Sequence, residues 1–494
     1  MRVSGSSLPP GGFRWVEPGP QAAEHARRSR RWRIGAAIAA VMAVSAGGVS
    51  AVLWGPFRDG GRSAPPAPPT IGTPKDLLVS FPLNRQPVEG WQVTAAGIGL
   101  PPGVQLGKLF ASNGNKAYFI TAQGCDRKCL DPVGWLYGID TSSGTRLFPP
   151  LSLPGFYSSG DNCYGNGPSV AVCTTRAPDE TIEQDFPPPT AWVIDLDHGT
   201  VSFSGANTLN PKRGGGTQLS AVGNDLGQTY LLAATPGKGV YGVGKRAELT
   251  WFVPGSGQVA TPVTRGSDIP PLTLAVQAPT APGDERGSRV FSVIDGTDLT
   301  PGVPAGTRLE EAEVYHGGFV YQFDSGAVTG TLMYDTAGRQ VARQDSERSF
   351  PRSNPAMPTL LVGSTFQFYT AAGKLLIDVP ARGLAEEFRT IGTKVYVRKA
   401  ATHGSDETWQ SWDLLTGAPG PACAMQLGVS YVGSDGNVVV ALRGGADEAF
   451  AAVDVATCQT LWEITGKVLI SKIGSGLVEI DYDHQTIMSL RAPN

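Results

Sequence analysis

The chain has 494 residues with 41% hydrophobic and 17% charged side chains, a globular composition long enough for two or three ordinary cores or one large repeat architecture. Its formal net charge of −3 is the sum of +5 over residues 1–33, where seven Arg face Glu17 and Glu24, and −8 over residues 55–494. An acidic main domain is excluded as a nucleic-acid binder, because phosphate contacts need clustered Lys and Arg.

Residues 1–33 form a basic tail, polar and expected to be unstructured. The next 21 residues, "IGAAIAAVMAVSAGGVSAVLW" (34–54), carry no charge, and at 1.5 Å per residue a helix of this length spans a hydrocarbon core of about 30 Å. Arg27, Arg28, Arg30, Arg31 and Arg33 stand before it, so the positive-inside preference keeps the tail in the cytoplasm and places everything after Trp54 outside. The expectation is a single-pass protein of the cell membrane. The alternative is a secreted domain, released by cleavage after "VSA" (49–51). Residues 55–76, rich in Gly and Pro, read as an extended spacer. Residues 77–494 are then the extracytoplasmic domain.

Six cysteines, Cys125, Cys129, Cys163, Cys173, Cys423 and Cys458, all follow the apolar segment and lack zinc-site spacing. In an oxidising compartment they read as disulfides, and sequence neighbours suggest Cys125–Cys129, Cys163–Cys173 and Cys423–Cys458 among fifteen connectivities.

From 77 onward one pattern recurs: a strand ending near Asp, a short turn with Gly, and a second strand. It occurs at 135–148, 191–203, 249–262, 289–301, 331–343, 366–379, 408–423 and 450–464, with turns mostly 40–45 residues apart. Asp140, Asp195, Asp295, Asp335, Asp413 and Asp454 supply the carboxylate, which can accept turn N–H groups; Gly144, Gly199, Gly338, Gly373 and Gly417 supply positive φ. Further strand-like runs between the hairpins, such as "KAYFITA" (116–122) and "NVVVALR" (437–443), bring the total to about four short strands per period with no long helix. That is an all-β fold, a β-propeller of four-stranded blades. Counting turns gives eight blades, with seven as the alternative count. The strands at 476–490, with 77–83 and 91–97 from the other end, are expected to close the ring as a composite blade.

The repeat, best seen at 450–464 and 135–148, resembles the PQQ-like repeat of the quinoprotein-dehydrogenase superfamily and its non-enzymatic relatives. The resemblance implies a propeller over nearly all of 77–494. The enzymatic members carry an adjacent-cysteine disulfide, calcium ligands and a catalytic Asp on the axis; this chain has no Cys-Cys pair, and Trp462 is the main survivor of the tryptophan that ends each repeat. The resemblance therefore implies the scaffold branch.

No catalytic, cofactor or metal residues are assigned. The five His are scattered, Asp195 and Asp197 supply too few oxygens for calcium, and Trp409 and Trp412 alternate onto opposite faces of one strand. The segments taken as innermost, "SVAV" (169–172), "TLAVQ" (273–277), "TLLVG" (359–363) and "VSYVG" (429–433), hold no carboxylate or His for axial chemistry. The long polar connections "RAPDETIEQDFPPPT" (176–190), "APTAPGDERGS" (278–288) and "ATHGSDE" (401–407) are the expected partner contacts. The functional expectation is a tethered, non-enzymatic binding or scaffold module of the cell envelope, without nucleic acid or cofactor, recognising a protein, glycan or small ligand. The alternative is an enzyme that uses the central funnel, a degenerate quinone-dependent dehydrogenase or a hydrolase.

Overall fold

The computed structural model describes residues 71–122, 132–157, 162–175, 189–209, 217–223, 229–260, 271–280, 287–346, 349–400, 407–443 and 449–493. These lie in the second of two compact units, 68–494. The tail, the apolar segment 34–54 and the pair Cys125 and Cys129 fall outside the described residues. Among those described, no helix is long and apolar enough to cross a membrane.

The described strands form nine antiparallel sheets. Numbered as blades in chain order, their first strands are Lys108–Asn113, Asn162–Gly165, Gln218–Gly223, Val259–Ala260, Arg308–Tyr315, Ser349–Arg352, Leu384–Ile391, Tyr431–Ser434 and Val468–Ile473. Six blades run four strands in order from first to last, blade 1 adds a fifth, Leu151–Pro154, paired with its third strand, and blade 4 has three with a bridge from Phe291 to Asp298. Blade 9 is composite: Val468–Ile473, Gly476–Asp481 and Thr486–Arg491 are completed by Val88–Thr94 from the other end of the chain, paired from Val88↔Arg491 to Thr94↔Thr486. First strands of neighbouring blades lie against one another, as in blades 1 and 2, 5 and 6, and 8 and 9, so they form the inner wall.

The core is divided into nine clusters, one at each junction. Tyr118 and Trp192 mark the cluster between blades 1 and 2; Phe366 and Trp412 that between 6 and 7; Tyr396 and Trp409 that between 7 and 8; Phe119 and Ile480 that between 9 and 1. The last of these closes the ring. Each blade is apolar on both faces because both faces meet a neighbour. Trp409 and Trp412, on opposite sides of one strand, are therefore both buried.

Antiparallel order puts the turns between first and second strands, and between third and fourth, on one side of the ring, called the lower face. Second–third connections and the crossovers between blades lie on the upper face. In each of blades 1 to 8 the third–fourth turn holds one residue with positive φ: Gly144, Gly199, Ala247, Gly296, Gly338, Gly373, Gly417 and Cys458. In blades 1, 2, 5, 7 and 8 the preceding Asp accepts from the turn backbone; Asp454 Oδ1 takes the N–H groups of Ala456 and Thr457, both at 2.8 Å, and these bonds hold its carboxyl below the usual range although burial opposes them.

The left-handed residue is also a seat for the preceding blade. Trp91 covers Gly144, where an added Cβ would meet the indole at 2.6 Å, and its Nε1–H donates to the Thr141 carbonyl at 2.9 Å. Trp251 covers Gly296 in the same way and donates to Ile294 O at 3.2 Å. At blade 8 the seat is Cys458, bonded as a disulfide to Cys423 of the last strand of blade 7. Cys163–Cys173 joins directly opposed residues of the first two strands in blade 2.

The count of eight is thus corrected to nine. Eight counts the blades with a continuous third–fourth turn, whereas the composite blade has none, its last strand coming from the other end of the chain. Two repeat boundaries also shift. The segment 249–262 is not a hairpin but the last strand of blade 3 and the crossover from it; the hairpin turn is at 244–248, with Ala247 in the glycine position. At 289–301 the residue before the turn is Ser292, whose carbonyl accepts from Gly296 N at 3.0 Å, and Asp295 sits inside the turn.

The described residues begin at Ile71, within the stretch read as spacer. Residues 71–83 cross the lower face of blades 7, 8 and 9 in turn: Thr73 N donates to Gly392 O at 2.9 Å, Val79 N to Ser434 O at 2.8 Å, and Ser80 N to Ser475 O at 2.9 Å. Where blade 9 lacks a third–fourth turn, this strap replaces it, and Trp462 Nε1–H donates to Leu83 O at 2.7 Å.

Gly144→Ala is expected to cost about 2–4 kcal/mol, combining left-handed backbone strain with overpacking against Trp91. Gly326→Ala, equally left-handed (φ 76°) but with nothing within 4 Å of the added Cβ, should cost about 1–2 kcal/mol. Equal midpoints for the two variants in denaturant titration would show that the seat does not matter. Opening Cys423–Cys458, 35 residues apart, should remove about 3–4 kcal/mol on the chain-entropy account. Because position 458 is left-handed, Cys423→Ala/Cys458→Gly should then be more stable than Cys423→Ala/Cys458→Ala by about 1 kcal/mol, read from the same titrations.

Candidate functional site

The inner wall differs from the sequence expectation. "SVAV", "TLAVQ" and "TLLVG" overlap second strands, at Val170–Thr174, Leu274–Gln277 and Thr359–Val362, and only "VSYVG" overlaps a first strand. The true first strands carry charge: Glu310, Glu311 and Glu313 in blade 5, Arg352 in blade 6, Glu386, Glu387 and Arg389 in blade 7, and Lys472 in blade 9. The misplacement has a simple cause. Second strands are buried on both faces and read as apolar runs, so they dominate a search for strands.

These charges are tied into the wall. Arg352 Nε lies 2.9 Å from Glu386 Oε1, joining blades 6 and 7. Arg389 is buried; its Nε–H donates to Leu427 O at 2.6 Å and its guanidinium lies 4.0 Å from the centre of the Tyr431 ring. Lys472 is also buried, and Gly433 makes room for it, since a Cβ there would meet its methylenes at 2.7 Å. Glu313 is the perturbed member. Burial raises its pKa from 4.5 to about 7; a hydrogen bond from Ser353 and the charge of Arg352 oppose the rise, and Glu311 adds to it.

The other sequence candidates are turn residues. Asp195 Oδ1 accepts from Asp197 N at 2.9 Å and His198 N at 3.1 Å, so it serves a hairpin. His198 and His484 are exposed and bonded to Asp195 and Asp481. His316 stands exposed in the first–second turn of blade 5 on the lower face, where partial desolvation lowers its pKa. Among the described residues no group of three His, Cys, Asp or Glu is placed to hold a metal.

The upper face carries a cleft that sequence reading did not find. It lies between blades 3 and 4, has a volume of about 370 Å³, and is lined by Gly237, Lys238, Gly255, Thr280, Gly287 and Arg289, with Pro254 and Ala278 as apolar walls. Gly237 and Lys238 form the second–third turn of blade 3, Pro254 and Gly255 the crossover, and the rest flank the second–third connection of blade 4. Three of these segments are far apart in sequence, so no local motif announces the site. The only trace is the glycine density of "TPGKG", "PGSG" and "APTAPGDERGS".

A closed ring of nine blades, with a charged inner wall and a basic cleft on one face, defines a nine-bladed β-propeller. A family model described as a conjugation-associated 9-bladed beta-propeller domain matches residues 63–493, and the chain belongs to that family. An uncharacterized protein of Mycolicibacterium smegmatis (strain MKD8) is 30% identical over 498 residues, covering 94% of this chain and 97% of that protein. Solved structures similar to the chain include the quinohemoprotein alcohol dehydrogenase from Comamonas testosteroni, with 10% identity, 83% of this chain and 78% of that one covered, and TM-score 0.32. The dihydro-heme d1 dehydrogenase NirN in complex with DHE has 12% identity, 78% and 81% coverage, and TM-score 0.31.

Glu313 gives the ring a pH-dependent stability. Its folded pKa is raised, so its favourable contribution is complete below 4.5 and is lost as pH rises to about 7. Glu313→Gln should flatten this dependence, leaving the variant more stable than wild type at pH 8 by no more than about 3 kcal/mol, with little difference at pH 4. Parallel denaturant curves for the two proteins from pH 4 to pH 8 would refute the assignment.

Proposed function

We propose that this protein is a non-enzymatic binding or scaffold module of a conjugation apparatus, carried outside the bacterial cell membrane by residues 34–54. The family description supports the setting, and the arginines before an uncharged 21-residue segment support the membrane crossing. The observation that carries the binding role is the unequal use of the two faces. The lower face has short turns, apart from the connection 261–273 of blade 4, and is partly covered by the strap at 71–83. Most of the long connections, including those that contain 176–188, 281–286 and 401–406, leave strands at the upper face, where partners have access.

A second reading, an enzyme in the central funnel, draws on Glu313 and Arg352 in the inner wall. A calcium–quinone site does not fit these residues, because Arg352 is engaged by Glu386 and Arg389 by a backbone carbonyl, and no three metal-ligating side chains converge among the described residues.

The test is crosslinking in intact cells followed by purification through a C-terminal tag. Replacing 176–188 with a Gly-Ser linker should remove crosslinked partners while leaving the thermal midpoint unchanged. A partner set that survives this and similar shortening of 281–286 and 401–406, or turnover in a dye-linked dehydrogenase assay with quinone and calcium, would overturn the reading.

A further inference from the structure

We propose that the cleft between blades 3 and 4 binds an acidic segment of a partner protein, with carboxylates held by Lys238 and Arg289. The proposal deepens the binding-module reading and rests on it.

The charges come first. Among the described residues no acidic side chain lines the cleft. Lys238 has no ion-pair partner among the described residues. Arg289 Nη1 stands 3.3 Å from Asp298 Oδ2, at the long end of a charge-assisted contact, and the Asp298 side chain is 46% exposed. A guanidinium has five N–H donors, so this one contact leaves Arg289 able to take a further carboxylate. Two cations facing one opening, with no acidic side chain among the described lining residues to balance them, call for negative charge in the ligand.

The walls then separate a peptide from a bare anion. A phosphate or sulfate site is built from converging backbone N–H groups. Here the glycine-turn groups are spent: Gly237 N donates to Ser256 O at 2.7 Å, Lys238 N to Thr235 O at 3.0 Å, and Gly255 N to Lys238 O at 3.0 Å. What remains is two side-chain cations, the Thr280 hydroxyl and the apolar surfaces of Pro254 and Ala278. A cleft of this size, mixed in polarity, accommodates a few residues of extended chain.

The cleft is also preorganised. Gln277 is fully buried beneath it; its Oε1 accepts from Gly257 N at 2.6 Å and its Nε2 donates to Pro254 O at 3.3 Å. Ser256 Oγ–H donates to Ala278 O at 2.7 Å, tying the crossover to the blade 4 strand. A Cβ at Gly255 would meet the Gln277 amide at 2.5 Å, so the backbone lies directly on that side chain. A wall already fixed loses little conformational freedom when a ligand binds.

The experiment pans a phage-displayed library of random dodecapeptides on the full chain purified in detergent. Recovered peptides should be enriched in Asp and Glu and should bind Lys238→Glu/Arg289→Glu at least tenfold more weakly. Lys467→Glu, a charge reversal at an exposed site on another blade, should change binding less than twofold. At constant ionic strength, 10 mM inorganic phosphate should also change it less than twofold. If the double variant loses its thermal transition, the Lys238→Gln variant replaces it, with an expected loss of about threefold or more. The proposal is overturned if no peptide is recovered, if the peptides lack acidic residues, if the cleft variants bind as well as wild type, or if phosphate displaces the peptides, which would mark a small-anion site. Failure on these terms leaves the in-cell crosslinking through other upper-face connections as a separate test of the binding module.

Discussion

The ring depends on one steric arrangement, repeated at the end of each continuous blade: a left-handed residue in the third–fourth turn, lying under a side chain from the blade before. A glycine there meets two demands. It adopts positive φ without strain, and its missing side chain leaves a flat spot that Trp91, Phe148 or Trp251 can cover. The seat varies with its occupant. Gly417 has only Ile377 near it, at 3.8 Å, whereas Cys458 abandons the flat spot and bonds to Cys423. Both solutions fix one blade against the next at its outer edge.

Between that edge and the inner wall, each junction holds its own apolar cluster. Nine such clusters give a core without a single centre, in which each blade depends on two neighbours. Such a structure gains its stability by closing, because an open ring would leave an apolar blade face and a strand edge in water. Closure is provided by both ends of the chain. Val88–Thr94 completes blade 9, and the strap at 71–83 supplies the missing seat through the Leu83 carbonyl.

The same closure makes the two faces unequal. Strap and mostly short turns occupy the lower face, and the basic cleft and most of the long connections belong to the upper. The inner wall carries several charges, yet they are mostly matched within it: Arg352 by Glu386, and Arg389 by a carbonyl and an aromatic ring. Charge in the cleft between blades 3 and 4 is less well matched. A surface whose cations are only partly paired is better suited to a partner than one whose cations already serve the fold.

The local units are legible in the chain alone. Asp-to-turn hydrogen bonding and the need for positive φ act within five residues, so the hairpins at 140–144, 195–199, 413–417 and 454–458 stand out, and four strands per period lead to a propeller. Where these short-range signals are replaced, by Ala247 or by Ser292 before its turn, the boundaries slip. The rest depends on the assembled ring. Pairing of Val88–Thr94 with Thr486–Arg491 joins segments about 400 residues apart. The composite closure is legible from strands at both ends, although 77–83 is strap and not strand; its being a ninth blade is not, because a count of turns leaves it out. Which strand of each blade is innermost follows from contacts between blades and not from apolarity, so the charged wall has no signature in the apolar pattern. The cleft requires three glycine-rich segments to meet across a junction, and spatial convergence of that kind has no periodicity to read.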